Sequence, residues 1–210
     1  MSIPTIDIPA EAPVMILPSA LLFPGALMPL YIFELRYRAM LEWALSHERM
    51  FCVALMRKGI TEAVNLDDFY HTCGLGLVRA CVTGKDGTSN LMLQGLSRVR
   101  LTGFVQNEPF RIARLALVPT EKSAKAQIAP LVAEIHALCK RFRSQGMTKS
   151  IEAFLLKMKD YDALADAVSH SLVQDPERRQ EILEEPRLRE RLRLIIKHIH
   201  EEGPDPLSPM

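Results

Sequence analysis

Aromatic side chains are scarce in this 210-residue sequence, at 6% with one tryptophan, so Leu, Ile, Val, Met and Ala must build the core. A charge excess is also missing. Twenty-six Lys and Arg against 25 Asp and Glu give a net charge of +1, which argues against nucleic acid at the level of the whole chain and leaves only local patches open. Paired cysteine motifs are absent: Cys52, Cys73, Cys81 and Cys139 include no C-x-x-C. The first residues, MSIPTIDIPAEAP, are acidic with no basic stretch before an apolar one, so no secretory leader is expected. The expectation is a cytoplasmic protein whose four thiols are free and mostly buried.

The chemistry-bearing motifs are missing as well. No G-x-x-x-x-G-K-[ST] or G-x-G-x-x-G occurs, and the Gly84-Lys85 pair runs on into Asp86. Gly74-Leu75-Gly76 reads as a close backbone approach or bulge within a strand. No G-x-S-x-G or S-x-x-K supplies a nucleophile. His71-x-Cys73 and His198-x-His200 are the tightest metal-ligand pairs. Residues two apart on a helix point to different sides, so the second pair cannot share one ion, and nothing completes the first. The expectation is no catalytic residue, no cofactor and no metal. Asp67 and Asp68 read as a solvated surface pair.

Charge is absent altogether from residues 12–33, APVMILPSALLFPGALMPLYIF. The length suits a membrane span. Pro13, Pro18, Pro24 and Pro29 oppose one, because each removes an N–H donor and clashes with a helical turn where lipid offers no substitute partner. The run reads instead as short strands at 14–17 and 26–30 around a Phe23-Pro24-Gly25 turn, and no membrane association is expected. Phe33, Tyr37, Met40, Leu41 and Ala44 then fall on one helical face.

Further strands are predicted at 51–56, 75–82, 90–94, 96–105 and 110–118, with Asp86-Gly87 closing a hairpin. In the 96–105 strand, Arg98 and Arg100 should face one way and Val99 and Leu101 the other. Short strands with glycine punctuation suggest a small antiparallel barrel or sandwich. Beyond Pro119 the period becomes helical. Ile128, Leu131, Val132, Ile135, Leu138, Cys139 and Phe142 form one stripe, and Ile151, Phe154, Leu155 and Met158 a second. Asp160 reads as the cap of a helix burying Leu164, Val168 and Leu172. Asp175-Pro176 opens another, and Leu188, Leu192, Ile195, Ile196 and Ile199 stripe the last, with Gly203 as its stop. Arg187, Arg189, Arg191 and Arg193 divide between two sides of that helix and read as a solvated, ion-paired surface. The expected domains are a β-rich module at 1–118 with one early helix, a helical module at 119–203 and a frayed tail at 204–210.

Together these segments resemble the Lon protease N-terminal, or substrate-binding, domain family. Ile16-Leu17-Pro18, Phe23-Pro24-Gly25 and Pro29-Leu30 match its opening L-P-L, F-P-G and P-L pattern. Phe33-Glu34-Leu35-Arg36-Tyr37-Arg38 is similar to F-E-P-R-Y-R, with Leu35 in the place of proline. Gly76, the Asp86-Gly87 turn, Gly95-Leu96-Ser97-Arg98-Val99 and Arg179-Gln180-Glu181-Ile182-Leu183-Glu184 continue the match over residues 14–200. The resemblance implies an α+β fold, a PUA-like antiparallel β-barrel followed by a C-terminal α-helical bundle. It also implies the recognition part of a Lon protease without its ATPase and Ser-Lys protease modules: a non-catalytic stand-alone member.

The function expected on that basis is binding of unfolded or tagged polypeptide, alone or beside a separate protease or chaperone. The oligomeric state is open. Candidate binding residues are Phe33 and Tyr37 as apolar contacts, with Glu34, Arg36 and Arg38 as a polar rim. Two alternatives stay open: a small molecule in a barrel pocket, and RNA on the barrel through Arg98, Arg100, Arg111 and Arg114.

Overall fold

A computed structural model describes residues 7–143 and 148–202. The expected stop at Gly203 and the tail at 204–210 lie outside the described residues. The chain divides into two compact units. One takes in the residues up to Leu22 together with Leu27–Leu117; the other takes in Phe23–Ala26 and the residues from Val118 on.

The first unit holds strands β1 (Glu11–Leu17), β2 (Leu27–Ile32), β3 (Met50–Leu55), β4 (Thr72–Thr83), β5 (Ser89–Gln106) and β6 (Arg111–Leu117), with helix α1 (Leu35–Ser46) between β2 and β3. The strand order is β2-β5-β4-β3-β1-β6, and β5 also pairs with β6, which closes a ring. The ring is mixed rather than antiparallel throughout, because β1 and β3 run parallel, with Val14 opposite Cys52 and Leu17 opposite Leu55. A parallel pair needs a long crossover. Here that connection carries β2 and α1.

The two strands expected at 90–94 and 96–105 are one. β5 continues through Gly95, which sits opposite Gly76 at a register shift in β4. A Cβ on Gly76 would come within 2.5 Å of Leu93, so a side chain at this crossing would have to displace Leu93 and Leu22. The predicted hairpin forms, with Gly87 at φ 77° and the Gly84 amide donating to the Thr88 carbonyl at 2.8 Å. Side chains at alternate positions fill the ring: Ala12, Val14 and Ile16 from β1, Met50, Cys52 and Ala54 from β3, Cys73 and Leu75 from β4, Val99 and Leu101 from β5, and Ala113 from β6. β3 is buried on both faces, as its unbroken apolar run predicts. The outward side of β1 and β3 meets α1, which buries Tyr37, Met40, Leu41 and Ala44.

All four cysteines are free; Cys52, Cys73 and Cys139 are buried. A hydrogen bond with Cys73, together with burial, pushes the Cys52 thiol well up, and burial raises Cys139 to about 11. Such thiols stay protonated and act as small apolar groups.

The second unit contains α2 (Lys125–Arg143), α3 (Lys149–Lys157), α4 (Tyr161–Leu172), α5 (Pro176–Glu184) and α6 (Leu188–Glu202). Three caps form as side-chain bonds. Thr148 accepts from Ile151 N, Asp160 from Asp162 N and Ala163 N, and Asp175 from Arg178 N with Pro176 in the first turn. α6 lies against α2, α4 and α5 with its predicted stripe buried.

Two expectations fail here. Arg191 is not on a solvated face: it is fully buried in the α6 stripe and paired with Asp162 and Asp166 of α4. Its neighbours do make surface pairs, Arg187 with Glu185 at 2.8 Å and Arg193 with Glu190 at 3.0 Å. α3 is also rotated relative to its apolar stripe. Glu152 and Leu155 are buried, while Ile151 and Phe154 are exposed. Periodicity marks an apolar face but not the direction in which neighbouring helices lie.

The tightest steric constraint is at Gly74, where a Cβ would lie 1.9 Å from the Leu22 carbonyl oxygen. Backbone cannot swing aside as a side chain can. Gly74→Ala is therefore expected to destabilise the chain by about 3 kcal/mol, the upper part of the overpacking range. Urea unfolding measures this, and a wild-type midpoint would contradict it.

Candidate functional site

A cleft of about 640 Å³ opens at one end of the strand ring. Four separate stretches of chain build it. β1 contributes Val14 and Ile16, and the start of α1 contributes Arg36 and Tyr37. The β3–β4 connection brings Met56 and residues 62–66, and the β5–β6 turn brings Phe104 and residues 107–111. Val14, Ile16, Met56 and Phe110 form a buried apolar floor. Val64 and Leu66 stand exposed on the lip. Exposed aliphatic groups beside an apolar floor are the ordinary makings of a binding cleft.

Hydrogen bonds hold the lip in place. The Asp68 carboxylate accepts from Val64 N at 2.9 Å and Asn65 N at 2.6 Å. Arg111 Nη2 donates to the Val64 carbonyl at 2.6 Å, and Arg57 Nε donates to the Asp67 carbonyl at 2.9 Å. His71 Nε2 lies 2.9 Å from the Leu66 carbonyl. Asp68 thus organises the loop rather than merely facing solvent. On the opposite side, Gln106 Nε2 donates to the Phe110 carbonyl at 2.9 Å across the β5–β6 turn.

The five residues singled out from the sequence divide between several surroundings. Tyr37 is buried beside the cleft. Its hydroxyl donates to the Ile16 carbonyl at 2.9 Å and accepts from Ile16 N at 3.3 Å. Burial pushes this hydroxyl up against the Ile16 backbone bond and nearby Arg36, which lower it, so Tyr37 serves as a neutral strut. Arg36 lines the cleft, with its guanidinium 4.7 Å from the Tyr37 ring centre and 2.8 Å from Glu34. Burial draws Arg36 down, but Tyr37 and Glu34 outweigh it and leave it raised. Glu34 occupies the position before α1 without capping it by a side-chain bond.

Phe33 is not among the residues lining the cleft. It is 60% exposed and stacks on Tyr31 with ring centres 5.9 Å apart. Leu27 and Leu35 are exposed nearby in sequence. The Arg38 guanidinium lies against the hairpin turn, where a Cβ on Gly87 would come within 1.8 Å of it. The structure therefore brings Arg36 and Tyr37 to the cleft, and sets Phe33 and Arg38 elsewhere around the start of α1.

The arginines considered for RNA also disperse. Arg98 is buried, and Arg114 pairs with Glu11 at 3.5 Å. Of the histidine pairs, His198 contacts Glu181 at 2.7 Å while His200 lies 3.4 Å from Glu134. Among the described residues, no group of three or more His, Cys, Asp or Glu side chains is placed to hold a metal ion, and no helix is long and apolar enough to cross a membrane.

Sequence reasoning overlooked Val64, Leu66, Phe104 and Phe110, and treated Arg111 only as a possible RNA contact. Three apolar residues, Ala63, Val64 and Leu66, in the otherwise polar 61–68 loop are the available signal.

Comparison with known proteins defines the class. The family described as the ATP-dependent protease La (LON) substrate-binding domain matches residues 11–201. The chain belongs to this family. Lon protease 2 of Herpetosiphon aurantiacus is 25% identical over 194 residues, covering 91% of this chain and 24% of that protein. The chain thus spans about a quarter of the length of the curated relatives it matches. The N-terminal domain of the Mycobacterium avium complex Lon protease superposes with a TM-score of 0.72 at 17% identity, covering 92% of this chain and 100% of that one. The Lon N-terminal domain protein of Xanthomonas campestris gives 0.66 at 19% identity, covering 89% and 97%. These structures share the fold, a ring of strands followed by helices.

The loop bonds make a direct prediction. Asp68→Ala should speed amide hydrogen exchange at Val64 and Asn65 and cost about 1 kcal/mol of stability, as the loss of a capping carboxylate does. Exchange unchanged at both amides, measured by NMR, would show that Asp68 does not hold the lip.

Proposed function

We propose that this chain is a non-catalytic polypeptide-binding module that captures unfolded or tagged segments at the cleft beside α1. Membership of a substrate-binding family supports recognition in general. The observation that carries this reading is the cleft itself: a buried apolar floor, two exposed aliphatic side chains on a hydrogen-bonded lip, and a charged rim. Such a surface accepts many apolar side chains, because burial is non-directional, while the rim keeps the empty cleft soluble. Holding the lip beforehand reduces the ordering cost of binding.

Within this reading Arg36, Tyr37 and Glu34 shape the rim and wall of the cleft. Phe33, stacked on Tyr31, offers a second apolar contact to a chain leaving it, with Arg38 at the margin. The partners are polypeptides in the cytoplasm, presented to or received from a separate protease or chaperone.

Binding of a labelled, permanently unfolded polypeptide, followed by fluorescence anisotropy, tests the assignment. Val64→Asp with Leu66→Asp removes the lip's apolar surface at exposed positions, so the fold should survive. Each side chain is worth about 1 kcal/mol or more when covered, so the double variant should bind at least tenfold more weakly, by about 1.4 kcal/mol. An Arg36→Ala/Arg38→Ala variant should bind more weakly with a smaller loss. Unchanged saturable binding by the folded lip variant would remove the cleft from this role. The same result with the arginine variant would remove the rim.

A further inference from the structure

The cleft holds more charge chemistry than apolar capture requires. Two guanidinium groups, Arg36 and Arg111, stand on its wall over the floor of Val14, Ile16, Met56 and Phe110. Arg111 is doubly oriented: Nη2 donates to the Val64 carbonyl at 2.6 Å, and its guanidinium carbon lies 5.2 Å from the Phe69 ring centre. That hydrogen bond engages one of the five donors a guanidinium carries. Arg36 is oriented by Glu34, which accepts from Nε at 2.9 Å and forms an ion pair with Nη2 at 2.8 Å. Both groups are aligned by the protein itself, so neither must be ordered when a ligand arrives.

A planar, oriented guanidinium beside an apolar floor matches one ligand chemistry best, an apolar group ending in a carboxylate. An internal polypeptide segment offers only neutral amides there. Covering Arg111 with it would desolvate a cation that bonds a neutral carbonyl, without supplying a charge to meet it, whereas Arg36 already has the Glu34 carboxylate. Glu62 and Glu108 line the same cleft. They repel an acidic side chain next to the terminus and so favour an apolar one; they oppose the terminal carboxylate too, which must sit close to Arg111 to offset them.

We infer that the cleft reads the free C-terminus of apolar-ended polypeptides, seating the last side chain on the floor and pairing the terminal carboxylate with Arg111 and Arg36. This rests on the polypeptide-binding role proposed above and specifies which part of the polypeptide is read. A small apolar carboxylic acid carries the same chemistry, so the test must separate the two sources.

Anisotropy with the full chain and a short fluorescent peptide ending in apolar residues makes the comparison without altering the protein. The peptide is used with a free C-terminus, with a C-terminal amide, and with acidic residues before the last position. The free acid should bind about tenfold or more tightly than the amide, the difference expected for a charge-assisted bond. The acidic version should bind more weakly than the parent. In an Arg36→Gln/Arg111→Lys variant the preference for acid over amide should collapse while residual binding remains. N-acetyl-leucine should displace the free acid only weakly, because it fills one part of the cleft. Equal affinity for acid and amide would overturn the carboxylate assignment and leave polypeptide binding standing. No binding of either peptide would contradict both. Binding of N-acetyl-leucine as tight as the peptide's would overturn the polypeptide source in favour of a small acid.

Discussion

Strand β5 is the constraint on which the sheet unit depends. Its 18 residues pair with β2 from Ser89 to Gln94, with β4 from Ser89 to Arg100 and with β6 from Val99 to Gln106. One strand therefore hydrogen-bonds three neighbours and turns an open sheet into a ring. A strand that long must bend to do so. Register shifts lie between Leu101 and Gly103 and between Phe104 and Gln106 on the β6 side, and at Gly76 and Val78 on the β4 side. Bulges increase twist and bend a strand where they occur, and two lie beside the cleft. Closure also leaves only short edges exposed, with Pro29 in β2.

Closing the ring creates the cleft. Phe104 and the 107–111 turn come together because β5 ends there and β6 begins. Val14 and Ile16 arrive because β1 pairs with β6, with Val14 opposite Arg111. β3 runs parallel to β1, which sends α1 over their outer face and brings Arg36 and Tyr37 to the same end. Tyr37 then bonds both backbone groups of Ile16 and ties helix to strand. A buried phenol serving two backbone groups is costly to lose, since its removal leaves polar atoms desolvated and unmet. Placement of the cleft is thus a consequence of topology, and only its lip requires dedicated side chains.

Much of this fold is legible in the sequence, for identifiable reasons. The unbroken apolar run of β3, the Asp86-Gly87 turn, and the caps at Asp160 and Asp175-Pro176 are local signals, and the structure honours each. Nonlocal features are harder to read. No local pattern joins residues 90–94 to 96–105, because Gly95 looks like a break until Gly76 is placed opposite it. Arg191 looks solvated until Asp162 and Asp166 on another helix come to it. The stripe of α3 does not say which way its neighbours lie. The cleft is assembled from side chains of four stretches far apart in sequence, around Val14, Arg36, Val64 and Phe110, so no spacing rule could find it. Family resemblance points to residues 33–38 around the start of α1, of which Arg36 and Tyr37 line the cleft.

Under the proposed function, a polypeptide is held at the end of the ring where these four segments meet. The most direct test is the map of backbone amide shifts when an unfolded polypeptide is added to isotopically labelled protein. The account predicts saturable shifts concentrated at residues 62–66, at 107–111 and at the start of α1, with the helical unit largely unmoved. Saturable shifts confined to the helical unit, with those three segments unchanged, would contradict it.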